Sequence, residues 1–423
     1  MEFVNVDKKI NLLEIDYWLK MFRNNIKIGT EIETMYQDNL EDGVTTIKNL
    51  LKDDGLIGGN FNHYQKPVEE VKSDGSLTNG AEILTPGRRL YNWLSMYSMY
   101  KPIINSIMQY KPIISPRMGW HNHVALDVDR DHTALEMPIP YVIFANVYQI
   151  VKKYYPALAF ISSTMTKKYG ESLTRYNEYC VDNKMLCHLP KTLRNIKSYL
   201  SERYNCFNVN YMKDNDDGDI KEFHIEFRLA DGTVFPAQMA TINCIYLAII
   251  LKAVKMAGIG QAQITNEEYE KMKHLYQFRN MDDTDSRLSS KALEVDELKE
   301  YAKEFVDFIE AELEEIDTTA LHFARKLSQE PISLMSRRLD TDDVEKINIE
   351  LDKEVNALYA KTGSIEELSN LIVSEAIKDV TNEEDWINKA GEKISAETPI
   401  DEMLNVIKGI IDLKFTPARG YYI

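Results

Sequence analysis

Apolar and polar residues alternate along four short segments of the chain, which is typical of strands that bury only one face. These segments are IKIGTEIETM from residue 26, AEILTP from 81, HNHVAL from 121 and FHIEFRL from 223. In the first of them, Ile28 and Ile32 fall on one face, and Glu31 and Glu33 fall on the other. The pattern therefore predicts a sheet with one apolar face toward the core and a second, polar face.

The predicted polar face is enriched in glutamate and histidine. The solvated face of an antiparallel sheet normally holds a random mix of Lys, Thr, Ser and Glu. Here alternation places on it Glu31, Glu33, Glu82, His121, His123, His224, Glu226 and Arg228. Two like charges at alternate positions of a strand stand about 7 Å apart and repel each other. A divalent cation would remove that repulsion, and Mg²⁺ and Mn²⁺ both favour carboxylate oxygen, with Mn²⁺ also accepting imidazole.

Three arginines add candidate phosphate-binding groups to the candidate metal ligands. Arg175, Arg203 and Arg228 could clamp a phosphate or a carboxylate by paired hydrogen bonds. A metal, an arginine and a well-placed carboxylate are the recurring parts of phosphoryl transfer. The sequence contains neither a Walker A motif nor the glycine loop of protein kinases, which excludes an ordinary P-loop enzyme.

The distribution of charge divides the chain near residue 263. Up to Gln263 the acidic and basic residues balance at 30 each, whereas the chain from Ile264 onward holds 37 acidic and 20 basic residues. That second part therefore carries the whole net charge of −17. Its apolar residues recur at helical spacing with an acidic outer face. We expect two domains, 1–263 and 264–423, of which the second is all-helical, acidic and of unknown role.

Composition excludes several other classes. An acidic half of this size argues against nucleic-acid binding, because phosphate contacts need local positive charge. No run of 18 apolar residues appears, and the first residues lack the pattern of a secretory signal, so we predict a cytoplasmic protein without a membrane partner. The four cysteines, Cys180, Cys187, Cys206 and Cys244, fit no zinc spacing.

Seven short motifs follow one another across roughly residues 26–257. They are G-x-E-x-E (Gly29, Glu31, Glu33), SDGS (Ser73 to Ser76), E-x-x-x-P (Glu82, Pro86), G-x-H-x-H-V (Gly119, His121, His123), RY (Arg175, Tyr176), RYxxxNV (Arg203, Asn208) and EFR with a following GT (Glu226 to Arg228, Gly232). In this order they resemble the amidoligase family, whose members are ATP-dependent carboxylate–amine ligases similar to glutamine synthetase and glutamate–cysteine ligase.

The resemblance implies an α+β fold of the glutamine synthetase type, in which a curved antiparallel sheet with flanking helices binds ATP and two or more divalent metals. Mg²⁺ or Mn²⁺ is the expected metal. The implied reaction phosphorylates a carboxylate to an acyl phosphate, which an amine attacks to give an amide or isopeptide bond. The substrates stay open among amino acids, peptides, polyamines and proteins. The family is often found in phages and other mobile elements.

The resemblance also implies roles for individual residues, motif by motif. The metal ligands would be Glu31, Glu33, Glu82, His123 and Glu226. Nucleotide contacts would come from His121, His123, Arg203 and Arg228. Substrate contacts would come from Asp74, Ser76 and Arg175. Catalysis itself would depend on Arg228, Glu226 and Glu33.

Simpler interpretations of the same residues stay open at this point. Glu31 and Glu33 fit a solvent-facing sheet edge, Arg228 fits a plain ion pair with Glu226, and residues 74–76 fit an ordinary turn. The chain would then be a binding or structural protein with a ligase-like fold, whose acidic region holds a protein partner or a second copy. A third interpretation keeps the nucleotide but phosphorylates a guanidino group. Similarity of fold alone does not choose among them.

Overall fold

The computed structural model describes residues 1–36, 43–57, 67–75, 77, 79–90, 92–110, 112–113, 118–126, 138–162, 207–214, 218–277, 295–329 and 341–361. The strands within these residues are β1 (Glu2–Val4), β2 (Ile26–Tyr36), β3 (Glu70–Lys72), β4 (Gly80–Leu84), β5 (Arg88–Arg89), β6 (Pro112–Ile113), β7 (Gly119–Leu126), β8 (Phe207–Asn208), β9 (Lys213–Asp214), β10 (Ile220–Glu222), β11 (His224–Asp231) and β12 (Gln261–Gln263). The helices are α1 (Leu12–Asn25), α2 (Gly43–Asp53), α3 (Trp93–Ile107), α4 (Tyr141–Ile161), α5 (Pro236–Ala257), α6 (Asn266–Gln277), α7 (Val295–Phe308), α8 (Glu310–Ile316), α9 (Thr318–Gln329) and α10 (Thr341–Lys361).

One antiparallel sheet carries the predicted polar face. Its hydrogen-bonded order is β3, β4, β2, β7, β11 and β8, and the short strands β5 and β6 also pair with β2. β2 lies inside this sheet, where β-branched residues alternate with polar ones from Ile26 to Ile32. The prediction of an α+β fold with an antiparallel sheet is confirmed. The curvature that the resemblance implies stays a prediction.

The apolar face of the sheet packs against helices. Ile28 and Ile32 of β2 are at most 1% exposed. Phe227 of β11 stacks on Tyr246 of α5, with ring centroids 3.9 Å apart. Each buried aromatic pair of this kind adds attraction beyond the area it removes from water. The apolar face therefore fixes which way the alternate, polar side chains of the same strands point.

Helix α5 lies at the centre of the core. By length and hydropathy it is the one described helix that would be long enough to cross a membrane, but 94% of its most apolar stretch is buried inside the protein. Pro236 stands at its first position, where the missing N–H costs nothing. Burial on all sides explains its apolar composition, since a helix without a solvated face needs no polar stripe.

Helices from the acidic region pack on the helices that cover the sheet. Phe305 of α7 is fully buried in the same apolar core as α4 and α5. The ring of Phe323, on α9, stacks on Trp93 of α3 with centroids 4.9 Å apart. Glu312 of α8 is buried, and its carboxylate lies 3.0 Å from Nζ of Lys255. A domain boundary at 263 and an all-helical region across 264–423 stay predictions.

Candidate active site

Strand register brings four residues of the predicted polar face together. β2 pairs with β7 so that Glu31 lies opposite His121. β7 pairs with β11 so that His123 lies opposite Glu226. Antiparallel partners have their Cβ atoms about 5 Å apart, so these long side chains meet above the sheet.

Glu31 is held between the two histidines. Its Oε2 lies 2.7 Å from Nδ1 of His121, and its Oε1 lies 3.2 Å from Nε2 of His123. Burial alone would raise the pKa of Glu31, but hydrogen bonds and charges from both histidines outweigh it and hold the pKa well below its usual range. Glu31 is therefore ionised at neutral pH. Because β2 is an inner strand, the interpretation as a sheet edge does not fit.

A three-donor centre forms where these side chains converge. One ligand atom each from Glu31, His123 and Glu226 lies within 4.8 Å of the other two. Nδ1 of His121 also comes within 3.9 Å of Oε1 of Glu226. Two carboxylates with one or two imidazoles suit a divalent cation, and carboxylate oxygen is the ligand that Mg²⁺ and Mn²⁺ favour. The residues present therefore fit the metal that the motifs imply.

Glu33 has other partners on the same face. Its Oε2 accepts a hydrogen bond from the backbone N–H of Gly119, and its Oε1 lies 3.6 Å from Nε2 of His121. The side chain is 1% exposed. These contacts hold Glu33 against the start of β7, beside the three-donor centre. Its roles as a metal ligand and in catalysis stay predictions.

Glu82 forms an ion pair that alternation alone did not reveal. It lies opposite Glu33 on one side and opposite Lys72 of β3 on the other. Nζ of Lys72 lies 2.9 Å from Oε1 of Glu82. Burial, together with the charges of Glu31 and Asp74, raises the pKa of Glu82 to about 7, although Lys72 counteracts the shift. Asp74, predicted to bind substrate, is thus an electrostatic neighbour of the site.

Arg228 lies at the opposite side of the centre and pairs with Glu226. Its Nη1 donates a hydrogen bond to Oε1 of Glu226, and its side chain is 11% exposed. The plain ion pair that the sequence left open is therefore present. The phosphate-binding role of Arg228 stays a prediction.

Two aromatic rings border the centre and were not predicted as site residues. Nε2 of His224 lies 3.0 Å from Nδ1 of His123, and the ring of Tyr211 stacks on His224 with centroids 4.7 Å apart. Burial, and then the charge of His123, lower the pKa of His224 to about 4. The sequence signal for His224 was its position two residues before Glu226, which places both side chains on the same face of the strand. Tyr211 follows β8 in a turn, where no periodicity marks it.

Three predicted residues, Ser76, Arg175 and Arg203, lie outside the described residues. Their predicted substrate and nucleotide contacts stay predictions.

The sequence matches no protein-family profile and no curated protein. Among solved structures, the chain is similar to the bifunctional glutathione synthetase from Pasteurella multocida, at 13% identity and a TM-score of 0.42 over 96% of this chain and 58% of that one. It is similar to glutamine synthetase from Plasmodium falciparum, at 11% identity and 0.39 over 75% of each chain. It is also similar to PafA, the ligase of the prokaryotic ubiquitin-like protein Pup, at 8% and 0.37 over 92% of this chain and 81% of that one.

All three are named as synthetases or ligases. Their low identities and TM-scores give no information about the activity of this chain. Its function has to be argued from its own residues.

Proposed function

We propose that this chain is an ATP-dependent carbon–nitrogen ligase, which joins a carboxylate to an amine through an acyl phosphate. The observation that carries the proposal is the convergence of Glu31, His123 and Glu226 on one sheet face, with Arg228 hydrogen-bonded beside them. This combination of carboxylates, imidazole and guanidinium suits phosphoryl transfer, in which positioning and charge stabilisation supply most of the catalysis.

Each residue has a part in the proposed reaction. Glu31, His123 and Glu226 would hold Mg²⁺ or Mn²⁺, which when bound neutralises charge on the phosphates. Arg228 would bind oxygens of the transferred phosphoryl group, and its hydrogen bond to Glu226 would orient it for this. The substrate carboxylate takes the terminal phosphoryl group and releases ADP. The amine then attacks the acyl carbon, phosphate leaves, and the nitrogen loses its proton.

The test is the release of ADP and phosphate by the full chain with Mg²⁺ or Mn²⁺ and a panel of amino acids, peptides and polyamines. We expect release that needs both a carboxylate and an amine. Glu31→Gln and Arg228→Ala should abolish it, because the first removes a ligand charge and the second removes the anion contact. Release by both variants at the wild-type rate would reject this assignment of the site.

Two further measurements separate the alternatives. A ligase-like scaffold without turnover would show no metal-dependent binding of ATP in calorimetry. A guanidino kinase would give a stable phosphorylated product without amide formation. A cytoplasmic location, and assembly with a second copy or a protein partner through the acidic region, stay predictions.

A further inference from the structure

The row of side chains on the β4 side of the polar face contains a lysine beside its carboxylates. Lys72, Glu82 and Glu33 follow one another across β3, β4 and β2 as cross-strand partners. Glu82 and Glu33 are both buried, and two neighbouring buried carboxylates are costly unless a positive charge compensates them.

Lys72 contributes one positive charge from the edge of the sheet. Its Nζ lies 2.9 Å from Oε1 of Glu82. The side chain of Glu82 is 5% exposed, whereas that of Lys72 is 43% exposed. The ammonium group thus contacts a buried carboxylate, while the lysine side chain as a whole stays partly in solvent.

Glu33 and Glu82 are cross-strand partners and form the further acidic pair of this face, so they are the residues that a second divalent ion would contact. Both carboxylates already have other partners: Lys72 contacts Glu82, and the N–H of Gly119 contacts Glu33. Among the residues that the structure describes, three converging ligand atoms occur only on the other side, at Glu31, His123 and Glu226.

We propose that Lys72 takes the place of a second divalent cation, so that the chain binds one Mn²⁺ in the absence of nucleotide. The inference rests on the proposed function, since it concerns the same metal-binding face. It departs from the two or more metals that the resemblance implies. A lysine gives fixed charge compensation at a position that would otherwise depend on the supply of a metal.

The experiment counts Mn²⁺ ions bound to the full wild-type chain without nucleotide, from the electron paramagnetic resonance signal of free Mn²⁺ during titration. One ion per chain supports the proposal. Two ions of similar affinity would overturn it and leave the proposed function intact. No bound ion would overturn both this inference and the metal centre of the proposed function.

Two variants test the role of Lys72 itself. Lys72→Met keeps the length of the side chain but removes its charge, so a second Mn²⁺ should bind between Glu82 and Glu33. Adding Glu82→Gln should return the count to one. Lys213→Met is the matched control, because Lys213 pairs with Glu222 on exposed strands and its loss should leave the count at one. If Lys72→Met folds and still binds a single ion, Lys72 does not substitute for a metal.

Discussion

Oε2 of Glu31 lies 2.7 Å from Nδ1 of His121, between two inner strands of the sheet. The side chain of His121 is 2% exposed and that of Glu31 is 22% exposed, so this contact is partly shielded from water. It holds one oxygen of Glu31 and directs the other toward His123. A carboxylate oriented in this way before an ion arrives loses less entropy on binding it.

Glu31→Gln should weaken Mn²⁺ binding by roughly tenfold or more, because it removes the ligand charge and disturbs both histidine contacts. Isothermal calorimetry of the full chain with Mn²⁺ measures the affinity. Glu222→Gln is the matched control, since Glu222 lies on an exposed strand and should bind Mn²⁺ like the wild type. Equal affinities of the wild type and Glu31→Gln would remove Glu31 from the metal centre.

Arg228→Lys should lower kcat for ADP formation on the order of a hundredfold while changing the KM for ATP much less. Lysine keeps the charge but lacks the planar fork that can hold Glu226 and a phosphoryl group together. Steady-state kinetics with an accepted amine measure both parameters. In the control Arg325→Lys, an exposed pair with Glu310 is altered and kcat should not change. A wild-type kcat in Arg228→Lys would argue for a purely structural ion pair.

His224 should make the protein less stable in mild acid. Its pKa is lowered to about 4 in the folded protein, so the unfolded chain takes up a proton at higher pH than the folded one. Stability is therefore lost as the pH falls from about 6.5 toward 4, and the loss between pH 7 and pH 5 is about 2 kcal/mol. Urea unfolding of the wild type and of His224→Asn at both pH values measures it. The variant should lose less stability than the wild type; equal losses would contradict the buried, neutral histidine.

Phe323→Ala should lower the free energy of unfolding by about 3–5 kcal/mol, because it removes a buried ring from its stack on Trp93. Arg325→Ala is the control, since the side chain of Arg325 is exposed on the same helix and its pair with Glu310 contributes about 1 kcal/mol or less. Urea denaturation measures both. A loss below about 1 kcal/mol in Phe323→Ala would mean that helix α9 does not share the core of α3.

Alternation along the strands sufficed to predict the two faces of the sheet. Ile28 and Ile32 are buried on the apolar face, and Glu31 contacts His121 and His123 on the polar face. Period-two patterning fixes the direction of each side chain within a strand, whichever strands pair. The residues of the apolar face and of the polar face could therefore be assigned before any strand pairing was known.

Pairing between strands could not be derived in the same way. Lys72 lies beside Glu82 because β3 pairs with β4 in a particular register, which the sequence did not indicate. Arg88 and Arg89 stand shortly before a helix in the chain, yet they pair with β2 as strand β5, and the helix begins only at Trp93, after its cap Asn92. Long-range hydrogen bonds overrode local propensity at that point.

Two further features also depended on contacts distant in sequence. A Cβ added at Gly29 would meet the backbone of Thr85 and Gly87 at 3.6 Å, an ordinary contact distance that only the strand pairing determines. The acidic helices showed an apolar stripe, but their periodicity carried no information about the helix that would cover it.

The most direct measurement of the central claim is the anomalous scattering of Mn²⁺ in crystals of the full chain soaked with Mn²⁺ and a non-hydrolysable ATP analogue. We predict a manganese peak bound by Glu31, His123 and Glu226, with a phosphate oxygen of the analogue completing its coordination and Arg228 against the phosphates. A nucleotide bound without manganese at these three residues, or manganese elsewhere on the chain, would contradict the claim.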